Sequence, residues 1–265
     1  MILCVGLATV DLVYRVDRVP GVDEKAQARS AEVAAGGPAL NAAITAAALG
    51  APVTLVTAIG THPLGALIRQ DLETHDVRLV DAAQDSEGLP PVSTVIVVNG
   101  TGERTIVSRN AGDRSFRVPG EGLPDAELTL VDGHHPVLAV AAARAARTLV
   151  VDAGTWRPVF ADILPHADVV ACSAAFRSLD GLTAPDVIVT HGPAPVTWTR
   201  DGHTEEIEVP PVEALDTAGA GDAFHGALAY ALHAGKPMRD AITEAIRVAG
   251  VRVQHPGPRS WLDEL

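Results

Sequence analysis

"DTAGAGDAFHGA", residues 216–227, sets two aspartates around residues with almost no side chain and then runs into an alanine-rich stretch of helical character. Ala218, Gly219, Ala220 and Gly221 leave the backbone bare where that helix begins. Consecutive N–H groups in such a turn, reinforced by the helix dipole, converge on one place and make an anion site. The missing side chains let a bulky anion reach the backbone. Asp222 would repel that anion unless it faces a second reactant and takes the proton from its hydroxyl. A backbone cradle for a phosphoryl group beside a carboxylate base is what phosphoryl transfer to an alcohol requires. Taken alone, the string also reads as a glycine-rich helix cap whose aspartates serve the first turn.

Outward from this stretch the chain alternates apolar, strand-like runs with helical patterns. Residues 2–8, 53–60, 128–133, 148–154, 168–173 and 186–192 read as strands buried on both faces, with helices at 38–49, 64–74, 137–147, 158–166 and 174–179. That alternation predicts βαβ units and a mainly parallel sheet between two helical layers. Residues 10–20, 28–34 and 93–110 instead alternate apolar and polar side chains, and the last has a hairpin turn at Asn99-Gly100-Thr101-Gly102. They predict a small, half-exposed antiparallel sheet, a lid from about 10–34 and 93–110. A second hairpin turns at Asp201-Gly202, and helices at 220–234 and 238–253 close a single domain over 1–265.

The 265 residues carry 20 basic and 33 acidic side chains, a net charge of −13. Such a surface lacks the basic footprint that nucleic acid or an anionic membrane needs. Cys4 and Cys172 lie in strand-like runs and read as buried thiols in a reducing compartment. The apolar first ten residues have no basic leader and read as a strand, so a cytoplasmic protein is expected.

Beyond the opening string, "GGPALNAAITAAALGA" (36–51), "VTLVTAIGTHPLGALIRQDLETHDV" (53–77), "GERTIV" (102–107) and "VTHG" (189–192) follow in an order that resembles the ribokinase-like (PfkB) family of carbohydrate kinases over nearly the whole chain. "GERTIVSRN", "DGHH" and "FHGAL" are nearest in wording to its ketohexokinase-like and sulfofructose-kinase-like branches. The resemblance implies a three-layer α/β/α sandwich with a small β lid. It implies transfer of the γ-phosphoryl of ATP, with Mg²⁺, to a hydroxyl of a small sugar, a ketose or ketose-like sugar. A monovalent cation and pairing of two lids into a homodimer are also within the family's range.

By position, the resemblance makes Asp222 the base and the amides of Ala218, Gly219, Ala220 and Gly221 the anion hole. Asp11, Gly36, Gly37 and Asn41 would bind sugar hydroxyls, Arg104 would reach the sugar or the phosphoryl group from the lid, and Asp132 would contact substrate near His134 and His135. Thr190 and Gly192 would line the nucleotide phosphates, with Gly257 by the adenine loop. Two departures stand out. Cys172-Ser173-Ala174-Ala175 replaces the Asn-x-x-Glu that organises Mg²⁺ in relatives. Pro193 and Pro195 stiffen the loop after Thr190 and remove two N–H donors. A nucleoside kinase or a catalytically weak sugar or nucleotide sensor are the competing readings. A dinucleotide oxidoreductase would need a G-x-G-x-x-G string after the first strand, and none is present.

Overall fold

Residues 2–5 show why the main sheet is buried on both sides. Ile2 and Cys4 face one hydrophobic core while Leu3 and Val5 face another, as the two-residue period of a strand dictates. The computed structural model describes residues 1–101, 103–112, 114–176 and 184–265. Its main sheet holds β1 (Ile2–Val5), β4 (Val53–Thr57), β5 (Val77–Asp81), β8 (Leu128–Val131), β9 (Leu149–Ala153), β10 (Val169–Ser173), β11 (Asp186–His191), β12 (Ala194–Arg200) and β13 (His203–Ile207). The order is β13-β12-β11-β10-β9-β8-β1-β4-β5. Strands β5 to β11 in this row are parallel, and β12 and β13 continue as antiparallel hairpins.

Helices α1 (Pro38–Ala48), α2 (Gly65–Thr74), α5 (Ala220–His233) and α6 (Met238–Val253) cover the face with Ile2 and Cys4. Helices α3 (Pro136–Ala145) and α4 (Phe160–Ile163) cover the other. Alanines dominate the contact faces of α1 and α5, so the two helices sit close together. Gly226 marks the nearest approach: a Cβ there would lie 2.4 Å from the Ala42 carbonyl oxygen. This brings the start of α5 beside the start of α1, at the carboxyl ends of the parallel strands where α/β sheets bind ligands.

The lid is a four-stranded sheet, ordered β3 (Ser30–Gly36), β2 (Thr9–Val16), β6 (Val92–Val98) and β7 (Arg104–Ser108). It is not wholly antiparallel as the alternating pattern suggests, because β2 and β6 run parallel. The chain reaches β6 only after crossing β4, α2 and β5, so no hairpin forces the opposite direction. Strand β5 was not anticipated, since Arg78 and Asp81 break its apolar run at the sheet edge. In place of a helix at 174–179, Ala174 and Ala175 form a turn, and residues 177–179 lie outside the described residues, as does Gly102 of the lid turn. Among the described residues no helix is long and apolar enough to cross a membrane.

Candidate active site

Asp222 sits in the first turn of α5, where Gly219 takes a left-handed conformation (φ 70°) as the residue before the helix. That backbone turn is held by Asp216. Its Oδ1 accepts the Ala218 N–H at 2.9 Å, and its Oδ2 accepts the Gly257 N–H at 3.3 Å. Arg15 from the lid and Arg252 from α6 each place a guanidinium nitrogen 3.6 Å from Oδ2. Of the four amides expected in the anion hole, two are engaged within the turn. The Ala218 amide is spent on Asp216, and the Ala220 N–H lies 3.4 Å from the Thr217 carbonyl. Among the described residues the N–H groups of Gly219, Gly221 and Asp222 itself have no partner, and they form the nest.

The Asp222 carboxylate is held from the side. Asn41 Nδ2 donates to Asp222 Oδ2 at 2.7 Å. Arg259 Nη1 donates to Asn41 Oδ1 at 3.1 Å, which fixes the amide's orientation, and Arg259 Nη2 donates to Asp71 on α2 at 2.8 Å. A four-residue chain thus runs Asp71–Arg259–Asn41–Asp222. Burial raises the Asp222 pKa above the ordinary carboxylate range, the Asn41 hydrogen bond opposes the rise, and the negative charges of Asp132 and Asp11 add to it. Asp71 and Arg259 carry no motif of their own; only the fold brings residues 188 positions apart into contact.

Asp11 lies on β2 at the lid's base. Thr9 Oγ1 donates to its Oδ1 at 2.7 Å, and burial raises its pKa against the pull of the Thr9 and Ser93 hydroxyls and the Arg259 charge. Gly36 pairs with Thr9 in the β2–β3 ladder, diagonal to Asp11, and a Cβ at Gly36 would lie 2.1 Å from Asp11 Oδ2. Gly37 (φ 101°) precedes α1, and its missing Cβ leaves room for the Leu7 carbonyl. Asp11, Gly36, Gly37, Asn41 and Asp222 therefore surround one place. Arg104 does not join them. It pairs with Val97, four positions along β6 from Ser93, the register partner of Asp11. Four residues of strand are roughly 13 Å, and Arg104 is exposed. Ser93 and Ser108, bonded to each other at 2.9 Å, stand in register with Asp11.

Asp132 is buried and serves backbone: its Oδ2 accepts the Leu7 N–H at 2.8 Å and its Oδ1 the His134 N–H at 2.9 Å. Burial would raise its pKa, but His134 and these amides hold it down at about 2. Asp152, at the end of β9, is the opposite case. Burial, Asp222 and Asp132 push its pKa well above the usual range, and it faces buried His225 of α5, Nδ1 to Oδ2 3.3 Å. Burial lowers the His225 pKa, against the pull of the Asp222 charge and the Ala171 carbonyl.

Gly192 (φ 64°) and Pro193, expected to lie toward the nucleotide, make a two-residue turn between β11 and β12, and Thr190 Oγ1 lies 3.4 Å from the Cys172 carbonyl. Gly257 (φ 79°) abuts the nest through Asp216. The end of β10 does not fit Mg²⁺. Cys172 is buried with its thiol pushed up to about 12 by burial and by Asp152, Ala174 and Ala175 carry no donor, and no cluster of three His, Cys, Asp or Glu capable of holding a metal occurs among the described residues.

The chain is 26% identical over 279 residues to ribokinase of Bacillus subtilis, covering 95% of this chain and 92% of that one. It is 24% identical over 288 residues to ketohexokinase of Mus musculus, covering 94% of each. Among solved structures it resembles the nucleoside kinase of Methanocaldococcus jannaschii (TM-score 0.84, 17% identity, 100% of this chain and 98% of that one). It also resembles Arabidopsis thaliana ribokinase complexed with ribose and ATP (TM-score 0.78, 20% identity, 99% and 97%). The ribokinase fold, with its large mostly parallel sheet and smaller lid sheet, is shared throughout. The family model of the pfkB carbohydrate kinases, phosphotransferases with an alcohol acceptor, matches residues 1–175 and 160–265, and the chain belongs to that family.

Proposed function

We propose that this chain transfers the γ-phosphoryl of ATP to a hydroxyl of a small sugar, of ketose or pentose size. The observation that carries this reading is Asp222, a half-buried carboxylate held by Asn41 at 2.7 Å beside the unpartnered amides of Gly219 and Gly221. Asp222 takes the proton of the sugar hydroxyl. The oxygen then bonds to the γ-phosphorus as the bond to the bridging oxygen breaks, and ADP leaves with that electron pair. The nest amides receive charge on the transferred group, an effect worth about 100-fold or more in rate per donor in comparable sites. Asp11 and Asn41 orient the sugar, and the lid excludes water. No residue at the end of β10 is assigned to Mg²⁺, and no step depends on one there.

The ribose-binding and ketohexose-phosphorylating relatives support a small sugar. A nucleoside acceptor is the second reading, favoured by the archaeal nucleoside kinase likeness. Against it, the lid positions in register with Asp11 are Ala34, Ser93 and Ser108, which offer no ring to stack on a base. ATP-dependent phosphorylation of ketoses, aldoses, sugar acids, sugar phosphates and nucleosides, followed as ADP release, tests the choice. Turnover of sugars with Asp222-dependent kinetics supports the proposal, and turnover of nucleosides alone overturns it.

A further inference from the structure

Three carboxyls, those of Asp222, Asp132 and Asp152, lie within reach of one another's charge at the start of α5. Asp222 is the base, and Asp132 is spent on the N–H groups of Leu7 and His134. Asp152 has no such provision. Among the described residues it receives no backbone N–H and no arginine fork. Its neighbours in β9 show where it points: Val150 belongs to the core under α5, and Val151 and Ala153 to the core on the other face. By the two-residue period of the strand, Asp152 faces α5. There it meets buried His225, with Nδ1 3.3 Å from Asp152 Oδ2.

The other ring nitrogen decides what this contact must hold. His225 Nε2 lies 3.3 Å from the Ala171 carbonyl oxygen on β10, and a carbonyl only accepts, so Nε2 carries a hydrogen. Without a second hydrogen the ring turns a lone pair toward Asp152 from Nδ1. That nitrogen is buried, and apart from Asp152 no group among the described residues stands ready to bond it. A lone pair opposite an ionised carboxylate, away from water, is costly. One proton between them removes the cost in either of two forms, a carboxylic acid donating to imidazole or an imidazolium donating to carboxylate. The pair carries no net charge in both. Burial, then the charges of Asp222 and Asp132, raise the Asp152 pKa, so that proton is held against loss to solvent. The other ionisable groups facing the pair are His134, Arg157 and Cys172, whose thiol is pushed up to about 12. Asp222 itself stands three positions before His225, on the same face of α5. We infer that Asp152 and His225 are positioning residues for the transfer, sharing one proton so that no second negative charge stands beside Asp222 as the phosphoryl group arrives. This proton is separate from the one that Asp222 takes from the hydroxyl. Its loss at high pH leaves a carboxylate that opposes both the approach of the phosphoryl group and the charge developing on it.

The inference rests on Asp222 as the base, and two measurements separate the one from the other. The first needs no turnover. In protein labelled with nitrogen-15 histidine, the His225 ring signals are assigned by their loss in His225→Gln and followed by NMR against pH. Nε2 should be protonated throughout, and Nδ1 should be hydrogen-bonded at neutral pH and bare at alkaline pH. In Asp152→Asn, whose amide cannot ionise, that change should vanish. The second measurement is the alkaline limb of the kcat/KM profile for ATP. The proton-bound pair is the active form and His225 stabilises it, so His225→Ala should move the limb to lower pH by about one unit, the size of one hydrogen bond to an ionisable group. Asp152→Asn, alone or combined with His225→Ala, should move it above the parent's. A merely structural cavity at residue 225 would lower activity at every pH without moving the limb, and Asp152→Asn would not reverse it. A bare Nδ1 at neutral pH in the parent, or a limb unmoved in both single variants, overturns the inference and leaves the kinase standing. Activity of Asp222→Asn within a few-fold of the parent overturns the positioning role together with the base, while the NMR signal still reads the shared proton.

Discussion

Asn41 and Asp222, 181 positions apart, meet with Asn41 Nδ2 donating to Asp222 Oδ2 at 2.7 Å. This leaves the second carboxylate oxygen to take a proton from a substrate, next to the bare amides at the start of α5. Asp222→Asn keeps size and loses proton acceptance. Its kcat should fall by at least ~100-fold while calorimetry shows sugar still bound. Activity within a few-fold of the parent would remove Asp222 from the reaction.

The same contact sets a pH response. Asp222 acts only when ionised, and burial already raises its pKa. The Asn41 hydrogen bond stabilises the carboxylate form, so Asn41→Ala raises the pKa further. Activity is lost as pH falls through that pKa, and the acid limb of the kcat/KM profile should therefore move to higher pH in Asn41→Ala. Arg259→Ala, which frees the Asn41 amide to rotate, should move it the same way by less. Superimposable profiles would show that neither residue tunes the base.

Asp216 yields a stability prediction. It compensates buried Arg252, whose side chain is only 4% exposed, and it ties Ala218 and Gly257 to one carboxylate. Asp216→Ala leaves that guanidinium in a protein interior without its counter-charge, a loss of about 3 kcal/mol in comparable buried pairs. Thermal denaturation should show a clearly lowered Tm, and the KM for ATP should rise because the nest loses its anchor. An unchanged Tm would mean that Arg252 is satisfied by the His255 and Asp216 carbonyls alone.

Much of this architecture was legible in the order of residues, for physical reasons that also mark where legibility stopped. Strands such as β1 and β10 are buried on both faces and so read as unbroken apolar runs. Edge strand β5 does not, because Arg78 and Asp81 meet solvent or local backbone there. The nest was visible because only small residues tolerate Gly219's left-handed turn, yet the loss of the Ala218 amide to Asp216 depends on a side-chain rotamer. Alternation shows which face Arg104 takes in the lid and says nothing of how far along the strand it stands from Asp11. Arg259 and Asp71 carry no local signature, and their roles arise from contacts that the fold alone creates.

Gly36 links the lid to the sugar site through a missing atom. A Cβ there would lie 2.1 Å from Asp11 Oδ2, so Gly36→Ala must displace either the carboxyl or the β3 backbone. The KM for sugar should rise on the order of 10-fold, the size expected when one buried charged hydrogen bond is lost. The KM for ATP should hold, since the nest is formed by α5. A parallel loss of ATP affinity would mean that the substitution disturbs α1 and the whole site.

Val33 and Val107 lie on one face of the lid, 53% and 70% exposed, Ile106 on the other, 57% exposed, and β7 has a free edge. A strand open on both faces and along one edge, with few buried contacts, opens locally at low cost. Its hold on the protein is the β2 register, where Asp11, Ser93 and Ser108 line up beside the site. Sugar bound at Asp11 therefore anchors the lid at that end. Hydrogen exchange should show protection rising on sugar binding in Ser93–Val95 and Ile106–Ser108, and rising less toward Val97 and Arg104. Arg104→Ala should leave this gradient intact, because Arg104 sits at the far end of the strand. Uniform protection along β6 and β7 would point instead to the whole lid docking as one body, and no change in either strand would make the lid a fixed wall of the site.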